Sequence, residues 1–155
     1  TLTTLGIALF AVGNAAGRII WGQIHDRLGT QYTVLCSLCS LGIALIPLLF
    51  DLPAGLLLTI VTIIGTGFGA AFVVYASSMV EQFGVNLFPN LYPICFLGYG
   101  LAGIIGPGIG GWIKDITGTF SPAIGMSVAI VFLAGAAFAI GFPGAKTTVV
   151  EKSPE

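Results

Sequence analysis

An all-α integral membrane fold, a bundle of five transmembrane helices, is what the sequence predicts, on three observations. Only 7% of the 155 residues carry a formal charge, and mean hydropathy is +1.05. Five stretches each hold the roughly 20 mostly apolar residues that a helix needs to cross a hydrocarbon core about 30 Å thick. A soluble domain devotes about a quarter of its residues to Asp, Glu, Lys and Arg. Five basic and six acidic side chains cannot furnish a water-facing surface for a chain of this length. Strands fail as an alternative, because membrane barrels alternate apolar and polar positions and these stretches are apolar on every side. In lipid, a helix satisfies its own backbone.

The predicted spans cover residues 2–21, 32–50, 54–79, 92–113 and 122–142. Nearly all charge falls between them: His25, Asp26 and Arg27 in the first gap, Asp51 in the second, Glu81 after the third span, Lys114 and Asp115 in the fourth gap. Trp21, Tyr32, Tyr92 and Trp112 fall at predicted helix ends, where amphipathic rings favour the headgroup layer. Residues 1–142 thus form one transmembrane unit, and 143–155 read as a solvated, disordered tail. Basic residues in short loops favour the cytoplasm, and Arg27, Lys146 and Lys152 outnumber Lys114 across the membrane. That bias places the first gap and the C-terminus in the cytoplasm. The chain starts at the edge of an apolar helix, which reads as a piece of a longer protein.

Composition also narrows function. No basic stripe exists to neutralise phosphates, so no nucleic-acid partner is expected. One histidine at a membrane edge, with no paired mid-membrane acids, assembles no catalytic set, so an enzyme is not expected. Cys36 and Cys39 form a C-x-x-C inside an apolar run, without a second pair or a nearby histidine. They and Cys95 read as small buried apolar residues, not metal ligands, and no cofactor is implied.

Glycine is the most uneven component. Of the 23 glycines, Gly65, Gly67 and Gly69 cluster in the third span, while Gly98, Gly100, Gly103, Gly106, Gly108, Gly110 and Gly111 crowd the fourth with Pro107. Gly13 and Gly17, like Gly106 and Gly110, have the four-residue spacing that lets helices approach closely in lipid. Static packing accounts for such spacing; so does a helix that flexes about Gly103, Gly106, Pro107 and Gly110.

Arg18 lies about one turn inside the end of the first predicted span. A charge at the bilayer centre costs at least ~2.5–3.5 kcal/mol, so it faces a cavity or a partner, and a guanidinium fork suits a carboxylate. An arginine this near the end can equally snorkel to the headgroups. Asn14 precedes it at spacing four; Tyr75 and Tyr99 are polar-tipped rings deep in apolar spans. Each either lines a cavity or bonds a neighbouring helix.

The stretch Gly22-Gln-Ile-His-Asp26-Arg27-Leu-Gly29 resembles the signature loop of the major facilitator superfamily, G-x-x-x-D-R/K-x-G, except that Thr30 and Gln31 stand where basic residues are expected. Asn14-Ala-Ala-Gly-Arg18, Glu81-Gln-Phe-Gly84, Gly98-Tyr-Gly-Leu-Ala-Gly103-Ile-Ile-Gly106-Pro107 and Gly111-Trp-Ile-Lys-Asp115-Ile-Thr-Gly118 resemble the oxalate/formate antiporter branch of that superfamily. The resemblance spans about residues 5–142 and implies the eighth to twelfth helices of a twelve-helix transporter in the plasma (inner) membrane. The missing N-terminal helices would complete the cavity. It also implies a cytoplasmic latch of Gly22, Asp26, Arg27, Gly29 and Glu81. In it, Asp26 faces a helix N-terminus, worth roughly 0.3–1 kcal/mol, and Arg27 pairs with Glu81. Arg18 would then hold a small carboxylate substrate. The eleventh helix of oxalate carriers adds a lysine; the matching 92–113 has no basic residue, which suits a monocarboxylate. The competing expectation is a non-transporting membrane module: a scaffold, a receptor-like protein or a degenerate half-transporter. His25 beside Asp26 also admits a proton relay, at the membrane surface instead of mid-depth.

Overall fold

Residues 1–141 are described by a computed structural model, and they are all-α. Three long helices account for them, not five separate ones: α1 (Leu2–Leu45), α2 (Ala54–Thr117) and α3 (Ser121–Gly141), with a short 3-10 turn at Ile46–Leu49 after α1. All three are long and apolar enough to cross a membrane, and the chain is a multi-pass integral membrane protein. The first two predicted spans share α1, the next two share α2, and the expected loops at 22–31 and 80–91 are helical except at Gly29 and Gly84. The predicted tail and Phe142 lie outside the described residues.

At 1.5 Å per residue the 64 residues of α2 would reach about 96 Å if straight, some three bilayer cores. They do not run straight. Phe68 and Tyr99 would then stand about 46 Å apart, yet their ring centroids are 6.1 Å from each other. The reversal sits at one residue, Gly84, with φ 75° and ψ 164°. α1 does the same at Gly29, φ 73° and ψ 176°, which brings Trp21 and Val34 into one core cluster. Positive φ with extended ψ is a region that glycine alone enters freely, so no loop residues are needed. Each helix thus has two arms: 2–28 and 30–45 in α1, 54–83 and 85–117 in α2.

This geometry accounts for the miscounted helices. Polar residues between apolar runs look like loops when read as composition, but a turn confined to one glycine lets helical hydrogen bonding resume at once. Gly118, the C-cap of α2 (φ 77°, ψ −8°), is different: its N–H bonds the Lys114 carbonyl at 2.8 Å in the left-handed cap conformation that Asn also adopts. Gly84→Asn is therefore expected to cost about 1–3 kcal/mol, and Gly118→Asn well under half of that. Thermal unfolding in detergent reads the difference.

The first arms of α1 and α2 run side by side in the same direction, and their backbones touch. Gly13 and Gly17 lie against Thr62 and Thr66, while Gly65 and Gly69 receive the main chain at Phe10 and Asn14. Both helices supply small residues at spacing four, so neither holds the other off. Gly67, on another face of α2, receives Leu41 from the second arm of α1, whose Gly42 abuts Phe132 and whose Leu38 lies by Gly135 of α3. Trp21, Val34, Ala70 and Val74 form the core, with Ile24, Leu38 and Phe138 around them. Trp21 is therefore an interior residue and not the interfacial ring expected. Cys36, Cys39 and Cys95 are the reverse case: all three thiols are free and exposed on helix surfaces instead of buried.

Candidate functional site: an arginine beside an aromatic wall

Phe10, Asn14 and Arg18 follow one another at four-residue spacing and so share one face of α1. Close approach at Gly69 brings that face to α2, where the Asn14 carbonyl and the Arg18 amide meet the glycine. Arg18 Nε donates to Asn14 Oδ1 at 3.3 Å, and the guanidinium carbon lies 4.7 Å from the centroid of the Phe72 ring. Phe72 is the start of a wall. Its ring is 5.5 Å from Tyr99 and 6.1 Å from Phe96, and Phe68 sits 5.7 Å away with Phe10 behind it at 5.6 Å. The wall continues through Tyr92 to Phe88, at 4.9 and 4.8 Å. These rings are what hold the two arms of α2 face to face across Gly84.

The position of Arg18 along its helix departs from the sequence reading. Because the helix continues past Trp21 to the bend, Arg18 stands eleven residues before Gly29, about 16 Å along the axis. Arg18 is therefore an interior residue of the first arm of α1, about three turns from its end. Its side chain is exposed, and no carboxylate pairs with it among the described residues. Asn14 and Tyr99 join Arg18 in one constellation. Tyr75 does not: it is half-exposed and makes no hydrogen bond or ring contact among the described residues. Phe72, Phe68, Phe96 and Phe10 are members that sequence reasoning missed. The signal was available, since Phe68/Phe72 and Phe88/Tyr92/Phe96 repeat at spacing four.

At the bends lies a second polar cluster. His25 is 4% exposed; its Nε2 is 3.3 Å from the Thr30 hydroxyl and 3.8 Å from Glu81 Oε1. Thr30 in turn donates to Glu81 Oε2. His25, Asp26, Ser77, Glu81 and Phe88 help line a cavity of about 410 Å³. Of the residues assigned to a latch, Gly29 makes the bend and Glu81 ties α2 to it, but Arg27 is not the partner of Glu81. With α1 helical through residue 28 and His25 facing α2, Arg27 is about 200° further round and points elsewhere. Thr30, which replaces an expected basic residue, takes part instead. A Cβ on Gly22 would meet Val73 only at an ordinary 3.5 Å, so close approach does not demand glycine there.

Gly103, Gly106 and Gly110 meet no other segment within 4 Å among the described residues, in contrast to Gly13 and Gly17 with the same spacing. Pro107 lies within the same exposed arm. Compared with protein-family models, with curated proteins and with solved structures, the chain matches none of them.

Proposed function

We propose that this chain is part of a secondary active transporter of the major facilitator type, which carries a small organic monocarboxylate by alternating access. One observation carries the reading: Arg18 puts a cation inside an apolar helix long enough to span a membrane, exposed, fastened by Asn14 and the Phe72 ring, and without a carboxylate partner among the described residues. Such a charge costs several kcal/mol in lipid and is retained where it meets water, an anion or both. A guanidinium that already spends Nε on Asn14 keeps its two terminal nitrogens for a bidentate carboxylate. Tyr99 adds a hydroxyl across the wall. A single cation suits a single negative charge. The bends at Gly29 and Gly84, tied through Glu81, form the latch with Gly22, Asp26 and Arg27 around it. The second arm of α2 flexes about Gly103, Gly106, Pro107 and Gly110. The resemblance of residues 22–29 and 98–118 to that superfamily supports the class.

Uptake of formate, lactate, pyruvate and oxalate by the full-length protein in proteoliposomes tests this, with a counter-anion or a proton gradient imposed. Saturable uptake of a monocarboxylate, lost in Arg18→Gln, is the expected result. Flat uptake of all four anions would sink it and favour a non-transporting module.

A further inference from the structure

His25 is the one ionisable side chain buried among the described residues. It joins three pieces of chain: the first arm of α1, Thr30 just past the Gly29 bend, and Glu81 just before the Gly84 bend. Hydrogen positions follow from the donors available. The Thr30 hydroxyl has one proton and gives it to Glu81, so towards His25 it can only accept; His25 Nε2 is therefore the N–H. A further proton can then enter only at Nδ1, turning the ring into a cation 3.8 Å from Glu81 Oε1.

We propose that His25 is a proton-operated fastener, which tightens the hold of the α1 bend on the α2 bend when protonated and loosens it to the Thr30–Glu81 hydrogen bond alone when neutral. Protonated, the ring holds Glu81 as an ion pair. Neutral, it leaves only the relay through Thr30. The charged side chains nearest the ring are acids. Asp26 on its own helix lines the same cavity, and α2 contributes Glu81. Ser77 and Phe88 are neutral, as is Tyr92, stacked 4.8 Å from Phe88. On the second arm of α1, Tyr32 is 66% exposed and the two thiols face outward. α3 carries no ionisable side chain over Ser121–Gly141, and Arg27 is directed away. Histidine is the side chain type that exchanges a proton under mild conditions, which is what a proton-operated contact needs. Proton binding and closure are linked: each promotes the other. None of this depends on what Arg18 binds.

Spin labels at Leu28→Cys and Phe83→Cys, both half-exposed, report the separation of the two bends. The full-length protein would be studied in nanodiscs, with Cys36, Cys39 and Cys95 replaced by Ser. The ratio of close to distant label pairs is expected to rise about fivefold from pH 8 to pH 5.5, the gain of a charge-assisted over a neutral hydrogen bond. His25→Gln, which keeps an N–H donor, should hold the ratio at its pH 8 value at both pHs. A ratio that ignores pH with His25 present, or a pH response that survives His25→Gln, overturns the proposal. Nitrogen NMR of the unsubstituted ring decides independently of any variant. The Nε2–H tautomer should give way to the doubly protonated ring as pH falls, and a ring still neutral at pH 5 overturns it.

Discussion

Gly17→Ala is expected to push α1 and α2 apart and to destabilise the protein by ~3 kcal/mol or more, the upper end of overpacking. A methyl there would lie against the carbonyl oxygen of Thr66, with the Thr66 Cα at 2.7 Å. Nothing in that contact is the movable end of a side chain, so the whole crossing must open. Gly69→Ala should behave alike, since its Cβ would meet the Asn14 carbonyl and, at 3.1 Å, the Arg18 amide nitrogen. Gly106→Ala is the control. It meets nothing within 4 Å, and a mid-helix Gly→Ala change by itself stabilises by roughly 0.5–1 kcal/mol. Unfolding in a denaturing detergent, followed by circular dichroism, reads all three. If Gly17→Ala were as stable as the parent, the backbones could not be in contact as described.

Arg18→Gln is expected to remove saturable anion uptake, and Arg18→Lys to weaken it strongly. A hydrogen bond to a charged group is worth about 1.5–3 kcal/mol, which is roughly a 10- to 150-fold loss in apparent affinity. Lysine keeps the charge but offers a point donor in place of the fork, and it cannot lie flat on the Phe72 ring while bonding Asn14. It should fall between the parent and Arg18→Gln. Phe72→Leu separates positioning from charge. Losing the ring under the guanidinium removes about 0.5–2 kcal/mol, so KM should rise by roughly 2- to 30-fold while a saturable signal persists. Equal uptake by the parent and the Arg18→Lys protein would show that the fork is not used. Uptake unchanged in Arg18→Gln would place the substrate elsewhere.

Much of this was legible in particular residues. Spacing four at Gly13/Gly17 anticipated a close crossing, and Gly65/Gly69 supply its other half. Asn14 and Arg18, one turn apart, are hydrogen-bonded. Gly29 was assigned to a turn, and it makes one. What could not be read was where each helix stops. His25, Asp26 and Arg27 looked like a polar loop that ended the first helix near Trp21. Instead the helix runs to Leu28, because one glycine is enough to reverse it. That single difference moves Arg18 from the end of a helix to its interior, buries Trp21 and His25, and turns Arg27 away from Glu81.

Identical local patterns also met different fates. Gly106 and Gly110 repeat the spacing of Gly13 and Gly17, yet one pair faces open space among the described residues and the other faces backbone. By itself the sequence determined the solvent, the secondary structure and the residues able to carry charge. Each of these follows from the transfer free energy and backbone freedom of residues taken one by one. The tertiary structure alone decided the ring beneath Arg18, the partners of Glu81 and the ring wall across Gly84. Those depend on which faces meet after two glycines reverse the chain, and contacts between residues far apart along the chain leave no trace in a local pattern.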